Sequence, residues 1–191
     1  SVAAAEEQLV GAVAIHNLYG TLGQMSALGF RAEEFRPSSV DALKLDYAGK
    51  VDEEEVDLSC PKHREVKDKT TEFARMLKPE FGDNAQTFGT KVHTAIKEYV
   101  AGKKDKAFKA EYSLLKAQTD FGKSGPVRYG QTQTLLVDVF ERLANNTVCV
   151  YDIKTGQRGL SSARIAEIAL AVHRRFKYSR RFLIIEVRPE K

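Results

Sequence analysis

The sequence predicts an α/β fold whose central sheet mixes antiparallel and parallel strands. Three apolar, β-branched runs follow one another in the second half, at residues 107–115, 133–140 and 147–153. A helical stretch at 161–176 and a further apolar run at 182–187 come next. Three consecutive strands favour an antiparallel meander, and a helix between two strands favours a parallel crossover.

The first half is predicted to be mostly helical. The pattern of apolar residues indicates helices over residues 3–30, 64–78 and 89–100. The second of these is expected to end before a proline, with a loop over 79–86. Residues 31–62 are polar and are expected to be irregular.

Composition limits the classes of protein that fit. A chain of 191 residues with 42% apolar content suits one domain, or one domain with an appended module. No stretch approaches the ~18–20 apolar residues of a membrane span. Cys60 and Cys149 are far apart and belong to no closely spaced pair, which argues against a disulfide scaffold and against a zinc site.

Charge is unevenly distributed along the chain. Residues 1–58 hold four basic and eleven acidic side chains, a net charge of −7, whereas residues 154–191 hold ten basic and three acidic ones, a net charge of +7. A basic half favours a polyanionic partner such as a nucleic acid. A charged, solvated surface explains the same counts equally well.

The stretch VCVYDIKTG places charged residues at the end of an otherwise apolar strand. Side chains alternate along a strand, so Asp152 and Lys154 share one face at its exit. The preceding strand, TLLVDVF, carries Asp138, and the short link ERLANN suits a hairpin that brings Asp138 close to Asp152. Two neighbouring carboxylates repel unless a cation lies between them, and their oxygens suit Mg²⁺ or Mn²⁺. Taken singly, a surface ion pair and an edge-strand acid explain these residues as well.

The combined pattern, an acid on one strand and D-x-K ending the next, resembles the PD-(D/E)XK nuclease superfamily. The resemblance implies a restriction-endonuclease-like core of helix, three-stranded meander, helix and strand over residues 87–191, with residues 1–86 as a mostly helical N-terminal extension. It assigns Asp138, Asp152 and Lys154 as catalytic residues, and both aspartates as metal ligands. Val137 stands where the family motif has proline.

The resemblance also implies two further candidate residues. RecB-like branches of the superfamily carry a metal-binding histidine on the first core helix, and His93 in GTKVHTAIKEYV takes that place. Helical spacing puts His93 at the border of an apolar stripe, where a histidine bonded to the backbone is an equal alternative. Glu111 on the first core strand is a possible second-shell acid, and an exposed strand position is the alternative.

Nucleic-acid contacts are expected just past the catalytic strand and on the helix that follows it. Gln157 is a possible second-shell residue, and the candidates for contacting phosphates are Arg158, Arg174, Arg175 and Lys177. The alternative is an amphipathic helix with a solvated face. In that case the stretch GKKDKAFK at residues 102–109 is the next candidate for binding the polyanion.

The stretch from VRYGQTQTLLVDVFE to VCVYDIKTGQRGLSSAR is similar to the C-terminal nuclease domains of bacterial polymorphic toxins and secretion-system effectors. The resemblance implies delivery into target bacterial cells, action in their cytoplasm and a cognate immunity protein. A chain that starts at Ser1 fits such a fragment. The expected activity is metal-dependent hydrolysis of nucleic acid, with DNA favoured. The alternatives are an RNase toxin acting on tRNA and a catalytically silent nucleic-acid-binding module.

Overall fold

The structure is a computed structural model, and it describes residues 27–32, 45–50, 52–115, 134–176 and 181–191. These residues form six strands, namely β1 Ala27–Ala32, β2 Leu45–Lys50, β3 Phe108–Leu115, β4 Thr134–Arg142, β5 Thr147–Ile153 and β6 Arg181–Val187. They also form four helices, namely α1 Glu53–Ser59, α2 His63–Phe81, α3 Ala85–Gly102 and α4 Ser162–Arg175.

The strands lie in one mixed sheet in the order β2-β1-β6-β5-β4-β3. β3, β4 and β5 form an antiparallel meander, and α4 leads from β5 to β6, which pairs parallel to β5. β1 and β2 extend the sheet beyond β6 as antiparallel strands. The predicted α/β class with a mixed sheet is confirmed, and the order from α3 to β6 is helix, three strands, helix and strand.

Side-chain caps begin three of the four described helices. Each cap accepts a backbone N–H from three residues later, and the three caps are Asp52 for α1, Asn84 for α3 and Ser161 for α4. Such a bond satisfies one of the free N–H groups at a helix N-terminus. The cap at Ser161 fixes the start of α4 eight residues after β5 ends, and so limits the loop between them.

The central strand β5 is buried along its whole length because helices cover both of its faces. Tyr151 and Ile153 on one face join a cluster with apolar residues of α2 and α3, including Val92 and Ile96. On the other face of the sheet, next to α4, the ring of Phe140 stacks on Phe176 with centroids 5.0 Å apart. A polar side chain on β5 is therefore costly unless it lies near the end of the strand.

The N-terminal half departs from the prediction in two places. Residues 27–30, expected to be helical, lie in β1, which pairs with both β2 and β6. Residues 45–50 and 53–59, expected to be irregular, form β2 and α1. Sheet pairing over a long sequence distance outweighs local helix propensity here, and a local pattern does not reveal such pairing.

The second helix also runs further than expected. α2 ends at Phe81 and includes Pro79, which was predicted to stop it, and α3 begins at Ala85 within the predicted loop. Proline in the last turn removes only one backbone hydrogen bond, so the helix can continue past it for two residues.

Cys60 and Cys149 are joined by a disulfide, contrary to the prediction from their spacing. They are 89 residues apart in sequence, and folding places the residue after α1 against β5. The spacing of cysteines does not show such a long-range pairing. The division into residues 1–86 and 87–191 stays a prediction, although the disulfide and the strand pairing join the two segments.

Candidate active site

The hairpin of β4 and β5 opens at the end that carries the two aspartates. Its backbone pairing continues only as far as Val139 and Tyr151. One residue further, Asp138 Oδ2 accepts the N–H of Ile153 at 2.8 Å. Because a backbone N–H needs an acceptor, this side chain replaces the carbonyl that a continuing strand would supply. Asp138 thus ends the ladder and lies beside Asp152, as the alternation of the strands predicted.

Asp152 is a buried acid with an incompletely satisfied carboxylate. Only 9% of its side chain is exposed, and Lys154 Nζ lies 3.0 Å from its Oδ2. The two groups form an ion pair, and beyond it none of the described residues donates a hydrogen bond to this oxygen. A buried carboxylate oxygen without a hydrogen bond is destabilising unless a ligand satisfies it.

The electrostatics of the site favour a bound cation. Burial raises the pKa of Asp152 above its usual value, and the negative charge of Asp138 raises it further. The charges of Lys154 and Arg164 lower the pKa of Asp152 by smaller amounts. A cation between two neighbouring carboxylates relieves the repulsion between their charges.

Arg164 reaches the site from the first turn of α4. Its Nη2 donates to the carbonyl of Leu136 at 2.8 Å, two residues before Asp138. This contact ties the start of α4 to the strand that carries the first acid. The position of Arg164 beside the aspartates depends on how α4 packs against the sheet, so the sequence alone does not reveal it.

His93 reaches the site from α3. Its Nε2 lies 3.4 Å from Asp138 Oδ2, and its Nδ1 lies 2.7 Å from the carbonyl of Gly89. Hydrogen bonding to Asp138 is the main cause that raises the pKa of His93 to about 9. A protonated imidazole donates from both nitrogens and has no lone pair for a metal ion. His93 is here a cationic partner of Asp138, and its role as a metal ligand stays a prediction that requires loss of the proton.

Gly89 allows α3 to approach the turn that follows β5. A Cβ at this position would lie 3.0 Å from Thr155 Oγ1, which is tighter than ordinary van der Waals contact. The close approach brings His93, one helical turn later, to the open end of the hairpin. A larger residue at this position would require Thr155 or the helix to shift by a few tenths of an ångström.

The strand register aligns four acidic positions in one row across the sheet. It places Glu111 of β3 opposite Asp138, and Glu186 of β6 opposite Asp152. Directly opposite residues share a face of the sheet. The side chain of Glu111 lies outside the described part of the structure, so its predicted supporting role stays a prediction.

Glu186 and Arg188 anchor the loop that follows β5. Glu186 accepts the N–H of Leu160 at 2.9 Å, and its other oxygen accepts from Arg188 Nε at 3.0 Å. Arg188 also donates to the carbonyl of Gly156. Sequence reading did not assign either residue to the site, although the alternating E-x-R at the end of the last strand is a signal that could have identified them.

The structure describes some of the residues that were predicted to contact phosphates, and those are exposed. Gln157 and Arg158 are exposed on the anchored loop, where a substrate could touch them. Arg175 is exposed, and its guanidinium lies 5.3 Å from the centre of the Phe176 ring. The side chain of Arg174 and the whole of Lys177 lie outside the described residues, so their predicted contacts stay predictions.

A divalent cation fits the site through two carboxylates. In the described ranges no group of three or more His, Cys, Asp or Glu residues is arranged to hold a metal ion. Mg²⁺ is commonly held by one or two carboxylates together with waters and substrate phosphate, so Asp138 and Asp152 suffice as protein ligands. The buried Asp152 oxygen without a hydrogen bond fits this role. The identity of the cation, Mg²⁺ or Mn²⁺, stays a prediction.

Comparison with known proteins gives no relative for this chain. No protein-family model, curated protein or solved structure matches it. Among the described helices, none has both the length and the apolar character needed to cross a membrane. The chemistry of the site is therefore the basis for assigning a function.

Proposed function

We propose that the chain is a metal-dependent endonuclease with a core of the PD-(D/E)XK type, and that its substrate is DNA. The observation that carries the proposal is the buried Asp152 oxygen, which lies beside Asp138 and has Lys154 as its one partner among the described residues. Two acids and a lysine at the open end of a hairpin provide cation ligands and a positive charge for phosphodiester hydrolysis. The order helix, meander, helix and parallel strand supports the same core.

Each side chain has a role that follows from its surroundings. Asp138 and Asp152 hold Mg²⁺ or Mn²⁺, which when bound polarises a phosphoryl oxygen and lowers the pKa of a water. Lys154, with 33% of its side chain exposed, would orient the attacking water or stabilise charge on the phosphate. His93 keeps Asp138 oriented through its contact with the carboxylate.

We further propose that the nuclease is the toxin domain of an interbacterial effector. It would be delivered into target cells, cleave nucleic acid in their cytoplasm and be neutralised in the producer by an immunity protein. The Cys60–Cys149 disulfide supports passage through an oxidising compartment, where such bonds form and persist. The basic segment 154–191 supports a nucleic-acid substrate, and the acidic segment 1–58 would serve delivery or face the immunity protein.

A cleavage assay with two substrates tests the activity. Supercoiled plasmid and total RNA are each incubated with the wild-type chain, with Mg²⁺ or with EDTA. We expect plasmid cleavage with Mg²⁺ and none with EDTA. Cleavage of RNA alone would replace the DNase proposal with an RNase acting on RNA such as tRNA. Binding without cleavage of either substrate would indicate a catalytically silent nucleic-acid-binding module.

The matched control is an exposed lysine on another element. Lys154→Ala is compared with Lys78→Ala, which removes an exposed lysine from the last turn of α2. We expect cleavage to be lost in the first variant and unchanged in the second, with both proteins folded. Wild-type cleavage by folded Lys154→Ala would overturn the assignment of the site.

A further inference from the structure

The loop between β5 and α4, residues 154–161, is fastened at both of its ends to the last strand. At its start, the N–H of Lys154 donates to the carbonyl of Val187 at 2.9 Å. Near its end, the N–H of Leu160 donates to Glu186 Oε1 at 2.9 Å. We call this segment the β5–α4 loop. A loop that is fixed at both ends to a strand of the sheet has few conformations open to it.

Glu186 and Arg188 together hold the middle and the end of this loop. Each Glu186 oxygen has its own donor, since Oε1 accepts the Leu160 N–H and Oε2 accepts from Arg188 Nε at 3.0 Å. Arg188 also donates from Nη1 to the carbonyl of Gly156. Only 12% of the Glu186 side chain is exposed. The pair therefore differs from an exposed ion pair, which contributes little, because its partners include backbone groups 26 and 32 residues earlier.

Gly159 makes room for the Glu186 carboxylate. A Cβ at this position would lie 2.6 Å from Glu186 Oε1, so any larger residue would displace the carboxylate from its place. Gly156, in the same loop, has no atom within 4 Å of its Cβ position. One glycine of the loop is thus fitted to Glu186, and the other is not.

These contacts keep the tip of the loop close to the proposed catalytic acids. The register places Glu186 opposite Asp152, on strands that are about 4.8 Å apart. Between the fastened ends, Gln157 and Arg158 are exposed. Arg158 is four residues after Lys154, which limits the distance between their Cα atoms to about 14 Å. Because a DNA strand carries one phosphate per ~3.4 Å of helix axis, Arg158 is within reach of phosphates a few nucleotides from a phosphodiester at Asp152.

We infer that Glu186 and Arg188 are positioning residues, which hold Gln157 and Arg158 in place to bind backbone phosphates beside the cleaved bond. A loop that is already ordered binds without the entropy cost of ordering it on association. Arg188 acts through the loop, since its guanidinium is occupied by Glu186 and by the carbonyl of Gly156. The inference rests on the proposed nucleic-acid substrate, and its test does not require cleavage.

Two glycine variants of the loop test the positioning role. Affinity for a short fluorescein-labelled DNA duplex is measured by anisotropy in EDTA, where the proposed reaction cannot occur. We expect Gly159→Ala to lose affinity roughly three- to tenfold, because it displaces the Glu186 carboxylate, and Gly156→Ala to bind like the wild type. The amide of Leu160 should exchange its hydrogen faster in Gly159→Ala alone. Equal affinity of the two variants, or unchanged exchange at Leu160, would overturn the inference.

Variants of Arg188 distinguish positioning from a direct contact with phosphate. Arg188→Lys keeps the positive charge but lacks the planar fork that joins Glu186 to the loop, so it should lose about as much affinity as Arg188→Ala. Arg158→Ala should lose affinity roughly three- to tenfold and flatten the salt slope by about 0.9. Adding Arg188→Ala to Arg158→Ala should lower affinity by no more than about twofold. Full affinity of Arg188→Lys, with a loss in Arg188→Ala, would overturn the positioning role.

The control for these arginine variants is Arg75→Ala. It removes an exposed arginine from α2 and should change neither affinity nor salt slope.

The two proposals fail in different ways. Equal affinity of Gly159→Ala and Gly156→Ala, or no binding of DNA by the wild-type chain in EDTA, would overturn the positioning role, whatever the protein cleaves. Wild-type cleavage by Lys154→Ala would overturn the catalytic assignment, while the difference in affinity between the two glycine variants would still stand.

Discussion

Two buried acids on the β4–β5 hairpin have opposite surroundings. Burial raises the pKa of both Asp152 and Glu141. Glu141, on β4, accepts a hydrogen bond from the Tyr151 hydroxyl at 2.6 Å and another from the Lys62 N–H at 3.2 Å. Asp152, at the other end of the hairpin, has an oxygen whose partner among the described residues is the Lys154 ammonium alone, and a second acid, Asp138, lies beside it.

The difference indicates that Glu141 stabilises the fold, whereas Asp152 can accept a ligand such as a cation. Two donors share Glu141 Oε1 and join the start of α2 to the sheet, so a ligand at this oxygen would have to displace protein contacts. Among the described residues, Asp152 Oδ2 has only the Lys154 ion pair, and the low-dielectric setting strengthens any interaction with a cation. Burial alone does not mark a functional carboxylate; a second acid beside it and few hydrogen-bond donors do.

The largest expected effect is on cleavage, and it is measured by replacing Asp152 and Glu141, in separate variants, with the corresponding amide. Asp152→Asn should reduce cleavage by at least ~100-fold, since it removes a cation ligand. Its Tm should not fall, because the raised pKa of Asp152 means that its charged form is unfavourable in the fold. Glu141→Gln should keep the wild-type cleavage rate per folded molecule. Plasmid cleavage and thermal melting of both variants measure this, and loss of cleavage in Glu141→Gln alone would reverse the comparison.

Reducing the disulfide should lower the stability of the fold, because the bond lies at the end of the β4–β5 hairpin that carries Glu141. It should leave the proposed cleavage at Asp152 unchanged. Cys149 pairs with Glu141 in the strand register, and Cys60 is 89 residues away. Opening a loop of this length should cost about 2–4 kcal/mol, which corresponds to a fall in Tm of about 5–15 °C. Melting curves with and without a reductant measure the change.

The control for reduction is the variant Cys60→Ser/Cys149→Ser, whose Tm should not change when the reductant is added. A second measurement compares cleavage by the reduced and the oxidised wild type, at a temperature where both are folded. The two cleavage rates should be equal. A fall in Tm of less than about 2 °C would contradict the stabilising role of the disulfide.

Mg²⁺ should stabilise the protein through Asp152 and not through Glu141. A ligand at about 10–100 times its Kd adds about 1.4–2.7 kcal/mol to the stability of the folded state. Tm should therefore rise with Mg²⁺ in the wild type and in Glu141→Gln, and should stay constant in Asp152→Asn. An equal Mg²⁺ shift in all three proteins would mean that the cation binds elsewhere.

The sequence was sufficient for those features that depend on nearby residues. The alternation of side chains and a short link were enough to predict the β4–β5 hairpin and the proximity of Asp138 to Asp152. The contact of Arg164 with the strand and the anchoring of the loop by Glu186 depend on packing between distant segments. The Cys60–Cys149 bond has the same origin, and periodicity carries no information about such contacts.

A third acid extends the comparison to pH. Glu65 on α2 accepts a hydrogen bond from the Tyr99 hydroxyl at 2.5 Å, and Lys103 and Lys62 lie 2.9 Å and 3.3 Å from its carboxylate. The Tyr99 hydrogen bond, followed by those of the two lysines, lowers the pKa of Glu65 from 4.5 to about 2. A lowered pKa means that the folded state favours the charged carboxylate, in contrast to Asp152 and Glu141.

The sign of the pH dependence follows from this lowered pKa. The stability that Glu65 contributes is present above its unfolded-state pKa of 4.5 and is lost as the pH falls through about 2. Because the site is partly exposed, we expect Glu65→Gln to cost only about 1 kcal/mol at neutral pH, or about 2–4 °C in Tm. The difference from the wild type should shrink when melting is followed in EDTA from about pH 7 down to about pH 3. Glu98→Gln, an exposed change on α3, is the control and should show no such trend. A Glu65→Gln deficit that stays constant over this range would show that the side chain contributes by packing rather than by charge.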